Sequence, residues 1–305
     1  MLRRPEGTGG FTLIELSIVL VIIGLIVGGV LVGQDLVRSA AVRAQISQIE
    51  RYQQAVATFY GKYQGLPGDL AAGPAAQFGF TTARGGSPAQ GDGNGVLESN
   101  QACFAMNTVG EASGFGETAV FWVDLSQAGL IDGGFNTANE TALAGSSNID
   151  KYFPQAKIRN GNYVYVWSGG AKGCQASNGV NYFGLSAITA IGAVNSSTPG
   201  LTVAQANSID SKFDDGLPQS GRVVSFYTAW QMPGGSAFPI WAAGSGTQGA
   251  ATSTGSGNGP TTAATAGSAT TCYDNGNSAG VVQKYSVGQS GGTNVNCALS
   301  FQFAN

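Results

Sequence analysis

The chain has 305 residues, only 10% of them charged, with a formal net charge of −3, 48 glycines, four cysteines and no histidine. Without histidine, a Ser-His-Asp or Cys-His catalytic site and a His-ligated zinc centre are excluded. A weakly acidic, sparsely charged surface also gives no general electrostatic footing for nucleic acid, so no nucleic-acid partner is expected.

Residues 11–33 form an uncharged run apart from Glu15. At about 1.5 Å per residue these 23 residues make a helix of roughly 34 Å, enough to cross a hydrocarbon core of about 30 Å. A secretory signal core is about 7 to 15 residues, so the run is too long for one, whereas an uncleaved signal anchor fits its length. Arg3 and Arg4 precede the run, and the positive-inside rule keeps residues 1–10 in the cytoplasm and sends the rest outward. A lone acid in such a span costs about 2.5 to 3.5 kcal/mol by insertion scales and needs a positive partner. No Lys or Arg lies between Arg4 and Arg38. Cutting the chain between Gly10 and Phe11 would supply the cation as an α-amine, one helical turn from Glu15.

The segment Gly10-Phe11-Thr12-Leu13-Ile14-Glu15-Leu16 resembles the cleavage and methylation motif of type IV prepilins and type II secretion pseudopilins. The strict resemblance covers about the first 35 residues. It implies that a prepilin peptidase cuts after Gly10 and methylates Phe11, that Glu15 is the assembly acid, and that mature subunits polymerise through their helices with the inner-membrane assembly machinery. The partners so implied are copies of this chain or related pilins. The implied location is the inner membrane, as a single-pass precursor with its head outside the cytoplasm, and then a pilus at the cell surface or a periplasmic pseudopilus. Gly24, Gly28, Gly29 and Gly33 form small-xxx-small pairs that permit close helix approach and mark where the helix is expected to unwind in a filament.

From Gln34 the pattern becomes amphipathic. Val42, Ile49, Val56 and Tyr63 recur every seven residues with Ile46, Gln53 and Tyr60 between them, a stripe that predicts packing on a head. No Pro interrupts Phe11 to Leu66, and Leu66-Pro67-Gly68-Asp69 reads as a turn, so one continuous helix of about 50 residues is expected. The organisation is then a leader (1–10), a membrane-spanning and polymerising half-helix (11–33), an amphipathic half-helix (34–63) and an extracytoplasmic head (64–305).

Strand patterns fall at Tyr163 to Trp167, Val223 to Tyr227, Val281 to Val287 and Cys297 to Phe303. Two short helices are expected. Thr118 to Leu130 brings Phe121, Leu125 and Ala128 to one face, and Leu201 to Asp215 opens with the capping-box pair Thr202 and Gln205 and turns Ala206, Ile209 and Phe213 inward. The fold class is α+β, with a long N-terminal helix on an antiparallel sheet. Residues 242–271, nearly all Gly, Ala, Ser and Thr, read as a flexible surface loop. Segments 63–69, 122–131 and 209–216 also resemble parts of large prepilin-like proteins and suggest a shared head fold.

Paired acids such as Asp214 and Asp215 are the residual basis for an anchored hydrolase, but adjacent acids in a polar turn are ordinarily solvated, and the chain is not expected to be an enzyme. Two acidic clusters are candidates for a structural Ca²⁺, the one cofactor considered. Asp92, Asn94 and Glu98 alternate in a Gly-rich loop, although Val96 occupies a ligand position, and Asp210, Asp214 and Asp215 close a helix. Four cysteines outside the membrane allow three pairings. Cys272 with Cys297 would close a loop onto the last strand, leaving Cys103 with Cys174. The function expected is a structural, pilin-like subunit of an extracytoplasmic filament. The alternatives are a pseudopilin of a type II secretion system and a signal-anchored periplasmic binding protein.

Overall fold

The structure, a computed structural model, describes residues 10–80, 91–97, 116–135, 146–168, 179–191, 195–229, 238–242, 271–274, 282–288 and 292–303. Residues 1–9 of the expected leader, Glu98, Cys103, Cys174 and residues 243–270 of the expected flexible loop lie outside them.

The helix expected from the first 66 residues is α1 (Leu13–Tyr63), 51 residues without interruption, including the glycine stretch 24–33. Gln64 closes it in the left-handed conformation with its N–H bonded to Tyr60 O. The two halves meet different surroundings. Apolar side chains as far as Leu36 and Val37 are 66 and 70% exposed, whereas Val42, Ile49, Val56 and Tyr63 are buried. The expected stripe is partly rotated. Ile46 and Gln53 are half-buried and Tyr60 is exposed, while Gln45, Gln48, Tyr52, Ala55 and Phe59 complete the inward face. The two glutamines can lie inside because they bind backbone. Lys157 N–H donates to Gln48 Oε1 at 2.9 Å, Ile158 N–H donates to Gln45 Oε1 at 3.2 Å, and Gln48 Nε2 donates to Gln155 O at 3.0 Å.

The head is α+β. After α2 (Ala72–Gln77) comes α3 (Glu117–Gln127), which is buried at every position from Glu117 to Leu125. It is therefore a core helix, and not the one-faced helix expected from Phe121, Leu125 and Ala128. A short 3₁₀ turn (Ser146–Lys151) leads to β1 (Asn162–Ser168), β2 (Asn181–Ala190), β3 (Ser196–Thr198) and β4 (Leu201–Thr202). Helix α4 (Val203–Phe213) follows, with the expected capping box. Strands β5 (Val223–Val224), β6 (Phe226–Ala229), β7 (Phe238–Trp241), β8 (Tyr273–Asp274), β9 (Lys284–Tyr285), β10 (Val295–Cys297) and β11 (Leu299–Phe303) complete the described elements. The main sheet has the order β1-β2-β11-β5, with β3 also paired to β2, and every pairing is antiparallel.

Sequence patterning overlooks the shorter β3, β7 and β8 and also the central strand β2. Its residues Asn181 to Ser186 are all buried, so it has no solvent face to impose alternation. Gly184 interrupts its apolar content for a steric reason: a Cβ there would overlap the Tyr165 ring of β1. The apparent alternation of β11 misleads in the same way. Ser300 is fully buried, accepting from Trp167 Nε1 at 3.1 Å and donating to Phe226 O at 2.8 Å. The run 223–227, expected as one strand, is broken at Ser225, whose N–H turns to Pro218 O. Of the run 281–287, only Lys284–Tyr285 is strand among the described residues.

Cys272 and Cys297 form a disulfide across 25 residues, with both side chains fully buried. Both flanks of the predicted flexible loop are tied to this region, since Ala242 N–H bonds Ser225 O and Thr271 O accepts from Asn296 Nδ2.

Gly184→Ala should destabilise the head by about 1 to 3 kcal/mol through overpacking against Tyr165. In a Tyr165→Leu background the same change should cost much less, because the two sites share one space. Denaturant melts of the detergent-solubilised chain check this, and equal costs in both backgrounds would refute the steric explanation.

Candidate functional site

The amino-terminal site is assembled by the start of α1. Thr12 is its N-cap and Glu15 its third helical residue. Thr12 N–H and Thr12 Oγ1 each donate to Glu15 Oε2 at 2.8 Å, and Glu15 N–H returns a bond to Thr12 Oγ1 at 3.3 Å. This is a complete capping box, a role the sequence reading did not assign to Glu15. Phe11 accordingly precedes the cap and is not in the first helical turn. Phe11 is 87% exposed, and a Cβ at Gly10, Gly24, Gly28, Gly29 or Gly33 would meet nothing within 4 Å. The bond between Gly10 and Phe11 is therefore clear of the head, and the glycine face has no partner within the chain among the described residues. Among the described residues α1 is the one helix long and apolar enough to cross a membrane, by length and composition that of an anchor or a signal.

The acidic clusters lie in the head. Asp92 is joined by residues distant in sequence: Asp69, Asp92 and Glu117 bring carboxylate oxygens within 4.8 Å of one another. Asn94 sits beside Asp92 of that group. Its N–H and Nδ2 bond the Asp92 carboxylate at 2.9 and 3.0 Å, and its Oδ1 accepts from Val96 N–H at 2.7 Å, the geometry of successive Asx turns. Asp69 and Glu117 are almost fully buried. Asp69 accepts from Gly93 N–H at 2.9 Å and Gly95 N–H at 2.8 Å, and Glu117 accepts from Gly91 N–H. Next to them, Asp124 accepts from Gly68 N–H at 2.7 Å. Burial pushes the Asp69 carboxyl up to about 7, against the pull of the two glycine amides, and the charge of Asp92 adds to the rise.

The second cluster comes together as expected, with Asp210, Asp214 and Asp215 within 4.8 Å. Each acid already has protein donors. Asp210 accepts from Tyr285 O–H at 2.8 Å and Gly216 N–H at 3.2 Å. Asp214 accepts from Arg222 and Val223 N–H groups, and Asp215 from Leu217 N–H and Ser220 O–H. Burial, with a smaller contribution from the Asp215 and Asp214 charges, raises Asp210 to about 7 against the opposing pull of the Tyr285 and Gly216 bonds. The Tyr285 hydroxyl, also buried, is driven well above its usual range.

Asp69 and Glu117 were not singled out from the sequence, although the Pro-Gly-Asp turn was. Of the four buried acids of the described head, Asp69, Asp124 and Asp210 fall in segments 63–69, 122–131 and 209–216, and Glu117 falls in none of them. Gly68 and Asp124 join the first two directly. No protein-family model, curated protein or solved structure matches this chain.

Asp69 and Asp210 retain protons in the folded chain at pH values where the unfolded chain, with carboxyls near 4, has released them. Their contribution therefore favours folding below about pH 4 and is lost progressively up to about pH 7. Asp210→Asn should flatten this decline, read as a smaller fall in Tm between pH 4.5 and 7.5. An unchanged slope would show that Asp210 is ionised in the folded protein throughout.

Proposed function

We propose that this chain is a pilin-like structural subunit: a membrane-inserted precursor cut between Gly10 and Phe11 and then assembled through α1 into an extracytoplasmic filament. The observation that carries the reading is the joining of the Gly10–Leu16 motif to a 51-residue helix whose first half touches nothing else among the described residues. An apolar rod of that kind must be covered, by lipid before assembly and by neighbouring rods afterwards. The long helix laid on an antiparallel sheet supports a pilin-like head, and the exposure of Gly10 and Phe11 supports access by a membrane-embedded prepilin peptidase.

The chemistry proposed for the amino terminus follows from charge. Cleavage creates an α-amine at Phe11, just before the helix cap, and methylation leaves it cationic. Glu15 then has a counter-ion within its own subunit or at the same axial height on a neighbour, which neutralises the one charge of the apolar half. Gly24, Gly28, Gly29 and Gly33 leave a strip without side chains along which helices can approach.

Peptide mapping of the membrane-inserted protein should find N-methyl-Phe11 as the first residue, and an intact Met1 in cells that contain the peptidase would refute processing. Immunogold labelling of surface fibres then distinguishes a pilus from a periplasmic pseudopilus.

Glu15→Ala should be inserted and cut as efficiently as the native chain yet lower filament yield by about tenfold or more, because docking loses its charge pairing. Glu15→Gln, which keeps the shape and one acceptor for Thr12, should assemble as poorly. Native filament yield from Glu15→Ala subunits would remove Glu15 from the assembly mechanism.

A further inference from the structure

Where α1 enters the head there is a cleft of about 180 Å³ between Arg38, Ser39 and Val42 on one side and the first turns of α4, with Gln205 and Ser208, on the other; Gly292 sits beneath it. The polar groups it presents are mostly donors. Arg38 is exposed, with no ion pair among the described residues; Ser39 and Ser208 carry hydroxyls, and Gln205 offers its amide nitrogen because its Oε1 is taken by Thr202 N–H at 2.9 Å. No carboxylate lines the cleft. The end of α4 is not the source of this character, since Gln205 N–H is bonded to Thr202 Oγ1 and Val203 N–H to Asn294 O. A small cleft with a guanidinium fork, two hydroxyls and an amide donor suits a tetrahedral oxyanion.

Its height along α1 selects the source of that anion. At about 1.5 Å per residue Arg38 lies about 8 Å beyond Gly33 and about 40 Å from Phe11, whereas a bilayer with its headgroup layers is about 40 to 45 Å thick. The apolar run ends at Gly33, exposed Gln34 and Asp35 follow it, Leu36 and Val37 are again exposed apolar side chains, and the first buried side chain is Val42; Asp35 does not line the cleft. The cleft therefore opens at the seam between the apolar half of α1 and the head.

We propose that this cleft holds the phosphate of a phospholipid headgroup in the outer leaflet, with Arg38 as its principal ligand and Ser39, Ser208 and Gln205 as further donors. The inference rests on the membrane-anchored precursor described above. The bound headgroup fixes the tilt and rotation of the head on the membrane, and it is released when α1 leaves the lipid for the filament.

Native mass spectrometry of the full-length chain in detergent, with phosphatidylglycerol, the diacylglycerol of the same acyl chains, or inorganic phosphate, tests it. A one-to-one phosphatidylglycerol adduct is expected, with none for diacylglycerol. Arg38→Gln should weaken the adduct about tenfold, the scale of one hydrogen bond to a charged group. Arg43→Gln, which removes an exposed charge a little over one turn further on and outside the cleft, should change it less than about twofold. Equal losses in the two variants would show a general charge effect and overturn the site. Equal retention of diacylglycerol would overturn the role of the phosphate, and displacement of the lipid by equimolar inorganic phosphate would overturn the lipid as its source. Carbonate extraction of the same membranes separates the two levels: release of the native chain refutes anchoring itself, whereas retention without an adduct refutes only the cleft.

Discussion

The second half of α1 is the support on which the head is built. Ile49 and Phe59 are fully buried, Tyr52 meets Trp122 edge-on at 5.0 Å between ring centroids and lies 6.1 Å from Phe183, and Gln45 and Gln48 hold the backbone that leads into β1. A buried glutamine left without its partners costs about 1 to 3 kcal/mol, so these bonds fix the rotation of the helix as well as its position. Since α1 runs unbroken from Leu13, that rotation is transmitted to the apolar half. The head thereby sets the direction each face of the rod points, and in the proposed filament this would decide which face meets a neighbour.

A chain with 48 glycines and few charges also needs a way to organise loops without ion pairs. In the described head, buried acids accept from glycine amides instead. Asp69 binds Gly93 and Gly95, Glu117 binds Gly91, Asp124 binds Gly68 and Asp210 binds Gly216. Gly68 shows why glycine is required: its φ is +85°, and a Cβ would overlap the Glu117 carbonyl at the start of α3. A hydrogen bond to a charged acceptor contributes about 1.5 to 3 kcal/mol. Loops that bury little apolar area are in this way anchored at a few points, each a carboxylate from one element and glycine N–H groups from another. The same arrangement raises the pKa of two of the acids, because amides alone do not offset the loss of water around a charge.

Local signals carried well where one residue spacing had one structural meaning. The seven-residue recurrence of Val42, Ile49, Val56 and Tyr63 marked the buried face of α1, and Thr202 with Gln205 marked the start of α4 within one turn. The patterns failed where an element is enclosed on all sides. Strand β2 and helix α3 lack a polar face, so neither the period of 2 nor that of 3.6 describes them. The Asp69, Asp92 and Glu117 cluster was illegible for a different reason. Its members are 23 and 25 residues apart, and only the fold joins a turn after α1, a glycine loop and the first residue of α3.

The capping box refines the electrostatics of the amino terminus. Glu15 is not without partners before cleavage, because Thr12 gives its carboxylate an N–H and an O–H. Two such bonds offset part of the cost of placing an acid in a membrane helix. A neutral donor pair lowers the cost of carrying the charge into lipid but leaves the charge itself. In the proposed filament an α-amine at Phe11 would neutralise it, and Thr12 occupies only one of the two carboxylate oxygens, Oε2. A neighbour's amine can reach the second oxygen, Oε1, without breaking the cap. Pairing between subunits through Oε1 would keep both the helix start and the neutralised charge, and in that reading the charge is a determinant of register.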